Sequence, residues 1–262
     1  MKIKVIGKTD EEIRFVVEDT NPQFVNALRR IMIGEIPILA IDSVDFYDND
    51  SPLYDEVVSH RLGLVPLKFD SKAFTLKDKC KCDGKGCSNC EIILVMDKKK
   101  PGLIYSGDMK SADSKTAEPL YSNIIILKLY EDQKFKVEAH ASLGFGKDHI
   151  KFQAANAYYR YYPSAKLNGK ISNSDEVTKV CPKKALRFDG NKVFLTIDCD
   201  LCKECLKHAK PKGALEINGD PSKFIFTVES TSGLKADDIV LKALDILKKK
   251  ASDLGKEIGK IK

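Results

Sequence analysis

No apolar run in this chain of 262 residues approaches the ~20 residues that a membrane helix needs, which excludes a helical membrane span. A secretory leader is missing as well. Residues 1–6 alternate lysine with isoleucine and valine, the pattern of a strand, so a cytoplasmic protein is expected. Charge of one sign is not concentrated anywhere. The formal +6 arises from 44 basic against 38 acidic residues spread along the chain, with no block of consecutive arginines. That balance permits proximity to nucleic acid without establishing base reading, and a solvated lysine-rich surface is the plainer account.

Catalytic signatures are absent too. There is no G-x-G-x-x-G after a strand, no Walker sequence, no G-x-S-x-G, no haem motif and no Cys/His dyad. The four histidines include no H-E-x-x-H or other ligand pair, and His208, three residues after Cys205, reads as a solvated loop residue. The acidic runs at 10–12 and 45–50 read as turns, not as paired catalytic carboxylates. Tyr158, Tyr159, Tyr161 and Tyr162 read as a packed edge beside Pro163 rather than a base-stacking platform. No active site is visible.

What is present describes an ordinary globular protein: 43% apolar and 31% charged residues, enough for two or three compact modules. Residues 2–6 and 13–18 read as a hairpin of half-buried strands. Asn21-Pro22 then opens a helix whose apolar positions Phe24, Val25, Leu28, Ile31 and Met32 form one face, closed by Gly34 and Pro37. Further strands are expected at 92–96, 124–130 and 223–229. The end of the sequence, from about 235, carries Val240, Leu244, Leu247, Ala251, Leu254 and Ile258 at spacings of four, three, four, three and four. That heptad seam suits either a helix lying on its own sheet or one packed along a partner. A long seam with nothing after it to cover it favours the partner. The strand–strand–helix start and strand–helix end read as one module interrupted by two insertions.

The eight cysteines fall into two sets, and without a leader metal ligation is favoured over disulfides. Cys80-x-Cys82-x4-Cys87-x2-Cys90, with Gly84 and Gly86 between, reads as a closed structural zinc loop, with free or disulfide-bonded thiols as the alternative. Cys199, Cys202 and Cys205 form C-x2-C-x2-C, and Cys181 precedes Pro182. This is half of a bacterial ferredoxin layout. One iron–sulfur cluster is expected there: 4Fe–4S is favoured, 3Fe–4S follows if an iron is lost, and zinc is the main alternative occupant. Pro182-x-x-Ala185-Leu186 recurs as Pro211-x-x-Ala214-Leu215. In that register Lys210 stands where a second cluster's cysteine would be, and Val177, Ser174 and Ile171 replace its other ligands, so the second cluster is lost. With no flavin or second redox centre indicated, a structural cluster is the simpler account. An electron carrier is the runner-up, and a zinc-dependent nucleic-acid-binding module is a third class.

Residues 21–67 contain Asn26-Ala27-Leu28-Arg29-Arg30, Glu35-x-Pro37, Asp55-Glu56 and His60-Arg61-Leu62-Gly63-Leu64-Val65-Pro66-Leu67. This stretch resembles the assembly-subunit family of DNA-directed RNA polymerases: the archaeal D subunit, the third-largest eukaryotic subunit and the amino-terminal part of bacterial alpha. Residues 144–152 (GFGKDHIKF) resemble a second block of that family, and the 224–229 strand with the last helix resembles a third. The cysteine module is similar to the archaeal version.

The resemblance implies an α+β fold with a discontinuous dimerisation domain at 1–43 and 223–262. An inserted mixed α/β domain would occupy 44–165, with its zinc-type loop at 80–90, and a small ferredoxin-like iron–sulfur domain 166–222. It implies a non-catalytic assembly platform that heterodimerises with the small L subunit, is joined by the small N and P subunits, and recruits the large catalytic subunits. DNA would be met only through that complex. Phe24, Leu28, Arg29 and Arg30 on the early helix, together with the heptad seam, would then meet partners, the arginines near the large-subunit contact.

Overall fold

The computed structural model describes residues 1–111 and 117–261. The chain begins with β1 (Lys2–Lys8), β2 (Glu12–Glu18), α1 (Pro22–Gly34), β3 (Pro37–Asn49), α2 (Asp55–Gly63) and β4 (Leu67–Lys68). There follow β5 (Glu91–Lys98), β6 (Gly102–Tyr105), β7 (Lys110–Ser111), β8 (Glu118–Pro119), β9 (Ile125–Leu129), β10 (Phe135–Phe145) and β11 (Ala155–Leu167). The last elements are α3 (Ser174–Val180), β12 (Leu186–Asp189), β13 (Lys192–Leu195), α4 (Glu204–His208), β14 (Leu215–Ser230) and α5 (Ala236–Lys260). No described helix is long and apolar enough to cross a membrane. The fold is mixed α and β, built as two compact units.

One unit comprises residues 1–7, 14–26 and 158–227. Its sheet runs in the order β1-β2-β14-β11. Phe15 stacks on Phe226 at 5.2 Å, and Tyr159 and Tyr161 pack against Phe224 at 5.7 and 5.2 Å. Tyr159 and Tyr161 of β11 thus pack as their spacing beside Pro163 suggests, whereas Tyr158 is half exposed. Burying rings of this size contributes roughly 1.5–3 kcal/mol each, which is enough to fix the register. β1 lies at the sheet edge and every one of its residues is exposed. A satellite core in the same unit gathers Val177, Ala185, Leu186, Cys199, Cys205, Ala209, Leu215 and Ile217.

The strand expected at 223–229 is longer than its sequence suggests. β14 starts at Leu215 and continues through Asp220-Pro221-Ser222. Proline ordinarily punctuates a strand because it lacks a donor. Here the Asp220 carboxylate takes the Ser222 N–H at 2.8 Å, and the Ser222 carbonyl accepts the Thr20 N–H, so the chain stays extended.

The other unit comprises residues 8–13, 27–157 and 228–262. Its main sheet is ordered β3-β10-β5-β7, with β10 antiparallel to both β3 and β5. In β5 the alternation is complete: Ile92, Leu94 and Met96 face the core. The acidic run at 45–50 is not a turn, since β3 carries it as far as Asn49. Its residues alternate about the sheet. Phe46 meets the Phe135 ring edge-on at 6.4 Å, while Asp45 and Asp48 face solvent. Period-two burial outweighs the turn preference of aspartate when aromatic residues are interleaved.

α1 begins as its sequence indicates, with Asn21 Oδ1 accepting the Phe24 N–H at 2.9 Å. Its apolar face, however, is already covered. Val25, Leu28, Ile31 and Met32 are all buried, so Leu28 is a core residue of this chain and not a free contact. At the end of α1 the Gly34 carbonyl accepts the Lys147 N–H at 3.1 Å. Gly144 and Gly146 make this junction close: a Cβ at Gly144 would lie 2.6 Å from the Phe152 ring, and one at Gly146 would strike the Ile33 carbonyl. Arg61 donates to the Ile126 carbonyl at 2.7 Å, tying α2 to the edge of β9. The motif residues of 60–67 and 144–152 are therefore joints of the fold.

Candidate metal centres and assembly surface

The first cysteine set lies between a short 3-10 turn (Lys77–Lys79) and β5. Three residues in the loop adopt left-handed backbone: Asp83 (φ 52°), Gly84 (φ 78°) and Gly86 (φ 86°). Backbone bonds Asp83 N–H to Cys80 O, Lys85 N–H to Cys82 O and Cys90 N–H to Cys87 O wind the chain through successive tight turns. All four Sγ atoms lie within 4.8 Å of one another. Cys80–Cys87 and Cys82–Cys90 are 3.5 Å apart and Cys87–Cys90 3.9 Å. A Zn–S bond of about 2.3 Å places tetrahedral thiolates roughly 3.8 Å apart, so the loop matches a single four-coordinate ion. Burial pushes the Cys90 thiol up to about 12, while the thiol of Cys80, donating to Cys82, brings Cys82 down to about 7. Thiols that resist ionisation individually lose their protons when a dication enters. These four cysteines can hold a metal ion.

The second set is built differently. Cys199 and Cys205 are buried, Cys181 is half-buried and Cys202 is exposed. Burial, followed by the neighbouring Cys181, Cys199 and Cys202, pushes the Cys205 thiol up to about 11. Among the described residues, only the first set has all its donor atoms within single-ion distance. Leu201 and Lys203, neither a glycine, both sit at φ 60°, winding the Cys199–Cys205 run tightly. The Ala185 N–H points at Cys181 Sγ at 3.4 Å. Cys199 and Cys205 thus lie within an apolar cluster, with Cys181 packed against it and a backbone amide directed at its sulfur.

The internal repeat is visible in space. Cys181-Pro182 follows α3 and Lys210-Pro211 follows α4. Ala185 and Ala214 are both buried, and each carbonyl accepts an amide just past a strand end, from Thr196 after β13 and Asn168 after β11. Lys210 is exposed, and Val177 and Ile171 belong to the apolar cluster. Hydrocarbon occupies positions that the repeat would assign to ligands.

One functional residue has no motif to announce it. Arg160, among the tyrosines of β11, donates to the Ile197 carbonyl at 2.6 Å and the Cys199 carbonyl at 3.2 Å. It braces the cysteine run from the sheet. A lone guanidinium in an aromatic strand is the available signal.

The expected partner-binding residues fall into three groups. Leu28 is buried, Phe24 and Arg29 are half-buried, and Arg30 is exposed on α1. On α5 it is Ala236, Ile239 and Ala243 that face the chain's own core, while Val240, Leu244 and Leu247 are half-buried. Beyond Leu247 every described residue is exposed, Ala251, Leu254 (62%) and Ile258 (54%) included. The seam thus shares its first half between core and surface and presents its second half bare. Ile3 and Val5 of β1, with Met1 just before it, add a second exposed apolar row.

Residues 14–251 match the family described as the RNA polymerase Rpb3/Rpb11 dimerisation domain. Curated relatives match over nearly their whole length. The DNA-directed RNA polymerase subunit Rpo3 of Methanosphaera stadtmanae is 35% identical over 264 residues, covering 97% of both chains. The subunit of the same name in Methanothermobacter thermautotrophicus is 37% identical over 259 residues, again 97% of both. That of Archaeoglobus fulgidus is 34% identical over 262 residues, 99% of this chain and 98% of the relative.

Proposed function

Since the chain belongs to the RNA polymerase Rpb3/Rpb11 dimerisation-domain family, we propose that it is a non-catalytic assembly subunit of an archaeal-type DNA-directed RNA polymerase. The observation carrying this reading is the extent of the likeness: the family match runs from Arg14 in β2 to Ala251 in α5, and a curated relative covers 97% of the chain. It heterodimerises with a small L-type subunit through the bare half of the α5 seam. The small N and P subunits and the large catalytic subunits then join, with Arg30 on the side that meets a large subunit. Nucleotide chemistry resides in those large subunits, and the assembly works in the cytoplasm. In this reading 1–43 and 223–262 form the dimerisation domain, interrupted by the insert at 44–165 and the cysteine module at 166–222.

Zinc is the occupant we assign to Cys80, Cys82, Cys87 and Cys90, on the strength of the sulfur spacing. One iron–sulfur cluster, in its 4Fe–4S form, is assigned to Cys181, Cys199, Cys202 and Cys205. Support comes from the C-x2-C-x2-C spacing with the remote Cys181-Pro182, and from Cys199 and Cys205 sharing one apolar cluster with Cys181 packed against it. Both are structural: they stabilise segments with too little core of their own.

Co-expression of the full chain with the L-type subunit of its own cell tests the assignment. A stable one-to-one complex is expected, and it should capture the large subunits from polymerase reconstitution mixtures. A chain that remains monomeric beside its L-type subunit, and from which polymerase assembles no better than without it, would reject the platform role.

A further inference from the structure

The cysteine loop at 80–90 is held by more than its sulfurs. Lys77 stands just before the loop and Glu91 just after it, and their side chains form an ion pair across its base. The Glu91 carboxylate is largely enclosed, with its side chain 18% exposed. Its other oxygen takes His140 Nδ1 of β10 at 3.0 Å, and His140 Nε2 reaches the Asp45 carboxylate of β3 at 3.0 Å. Glu91 also touches the loop at its tightest point: a Cβ at Gly86 would come within 3.1 Å of Glu91 Oε1.

Four thiolates around a dication carry a net double negative charge, and a cation held nearby offsets it. Lys77 borders the loop, and its ion pair with Glu91 keeps its ammonium at the loop's base. The same carboxylate lies beside the left-handed turn at Gly86 and fastens the loop to the β3-β10-β5 sheet through His140. Groups standing behind metal ligands commonly set affinity by 10–100-fold, because they decide how much ordering the ion must impose.

We infer that Glu91, braced by Lys77 and His140, is a positioning residue that keeps the four cysteines in metal-ready geometry. The inference rests on the zinc assignment for this loop and extends it to residues that never touch the ion.

The test uses the full chain, loaded with zinc or cobalt, as wild type and as Glu91→Gln, Lys77→Gln, Lys77→Arg and Lys68→Gln. Lys68 pairs with Glu118 at an exposed site and serves as the control. Zinc release to excess chelator is followed with a zinc indicator dye, and tetrahedral thiolate geometry through the cobalt absorption bands. Glu91→Gln and Lys77→Gln are expected to release zinc roughly 10–100-fold faster and to broaden the cobalt bands. Lys77→Arg should restore near-wild-type release, and Lys68→Gln should change nothing. Should Glu91→Gln not fold, the Lys77 pair decides alone. Equal release from wild type, Glu91→Gln and Lys77→Gln overturns the inference and leaves the zinc assignment standing. A wild-type chain that takes up neither ion overturns both.

Discussion

Gly146 cannot carry a side chain where it stands. A methyl group there meets the Ile33 carbonyl, and backbone cannot move aside as a flexible side chain can. Gly146→Ala is expected to lower stability by about 1–3 kcal/mol, read as an earlier denaturant midpoint with an unchanged slope, whereas Gly7→Ala, open on all sides, should not shift it. The sequence marks 144–152 as a block without giving the reason, because close approach between a helix end and a strand leaves no periodic trace. Other single residues are readable in advance. The Asn21 cap and the left-handed glycines of the first cysteine loop follow from local spacing. Arg160 does not, since its partners are carbonyls 37 and 39 positions away.

Among the elements, α5 divides most sharply between what spacing can and cannot tell. Its 25 residues span about 37 Å, and the heptad pattern locates the helix and its apolar stripe. Pattern alone could not separate Ile239 and Ala243, which serve the chain's own core, from Leu254 and Ile258, which serve none of it. α1 shows the converse, for its amphipathic face is satisfied internally. Two substitutions therefore have opposite consequences. Leu28→Ala should cost about 2–5 kcal/mol of folding stability, while Leu254→Asp with Ile258→Asp should leave stability within about 0.5 kcal/mol and abolish capture of the L-type subunit. Thermal unfolding read beside co-purification separates them; L-type capture by the double variant at wild-type strength would remove α5 from the interface. β3 and β14 run longer than expected because aspartate and proline weigh locally as turn formers, and long-range pairing decides otherwise.

For the whole molecule, the family likeness covers nearly the full chain, and the archaeal D and Rpo3 subunits are one polypeptide under two names. Composition already makes a helical membrane span untenable, and the fold agrees. Metals are where covalent sequence and folding energy meet. Two of the eight buried residues in the satellite core are cysteines, so removing the thiolates removes core and ligand together. Replacing Cys199, Cys202 and Cys205 with serine is expected to unfold residues 166–222 and weaken assembly indirectly, with the dimerisation sheet intact. Loss of iron, loss of part of the circular dichroism signal and reduced co-purification would appear together; normal assembly by the triple variant would argue against a structural cluster.

The uninterrupted run of β14 sets a limit on how this protein could be trimmed. Leu215 and Ile217 lie in the satellite core while Phe224 and Phe226 serve the main sheet, all on one ribbon of backbone. The cysteine module is spliced in line and does not hang from a tether. Excising that module would mean cutting a strand and re-forming its end.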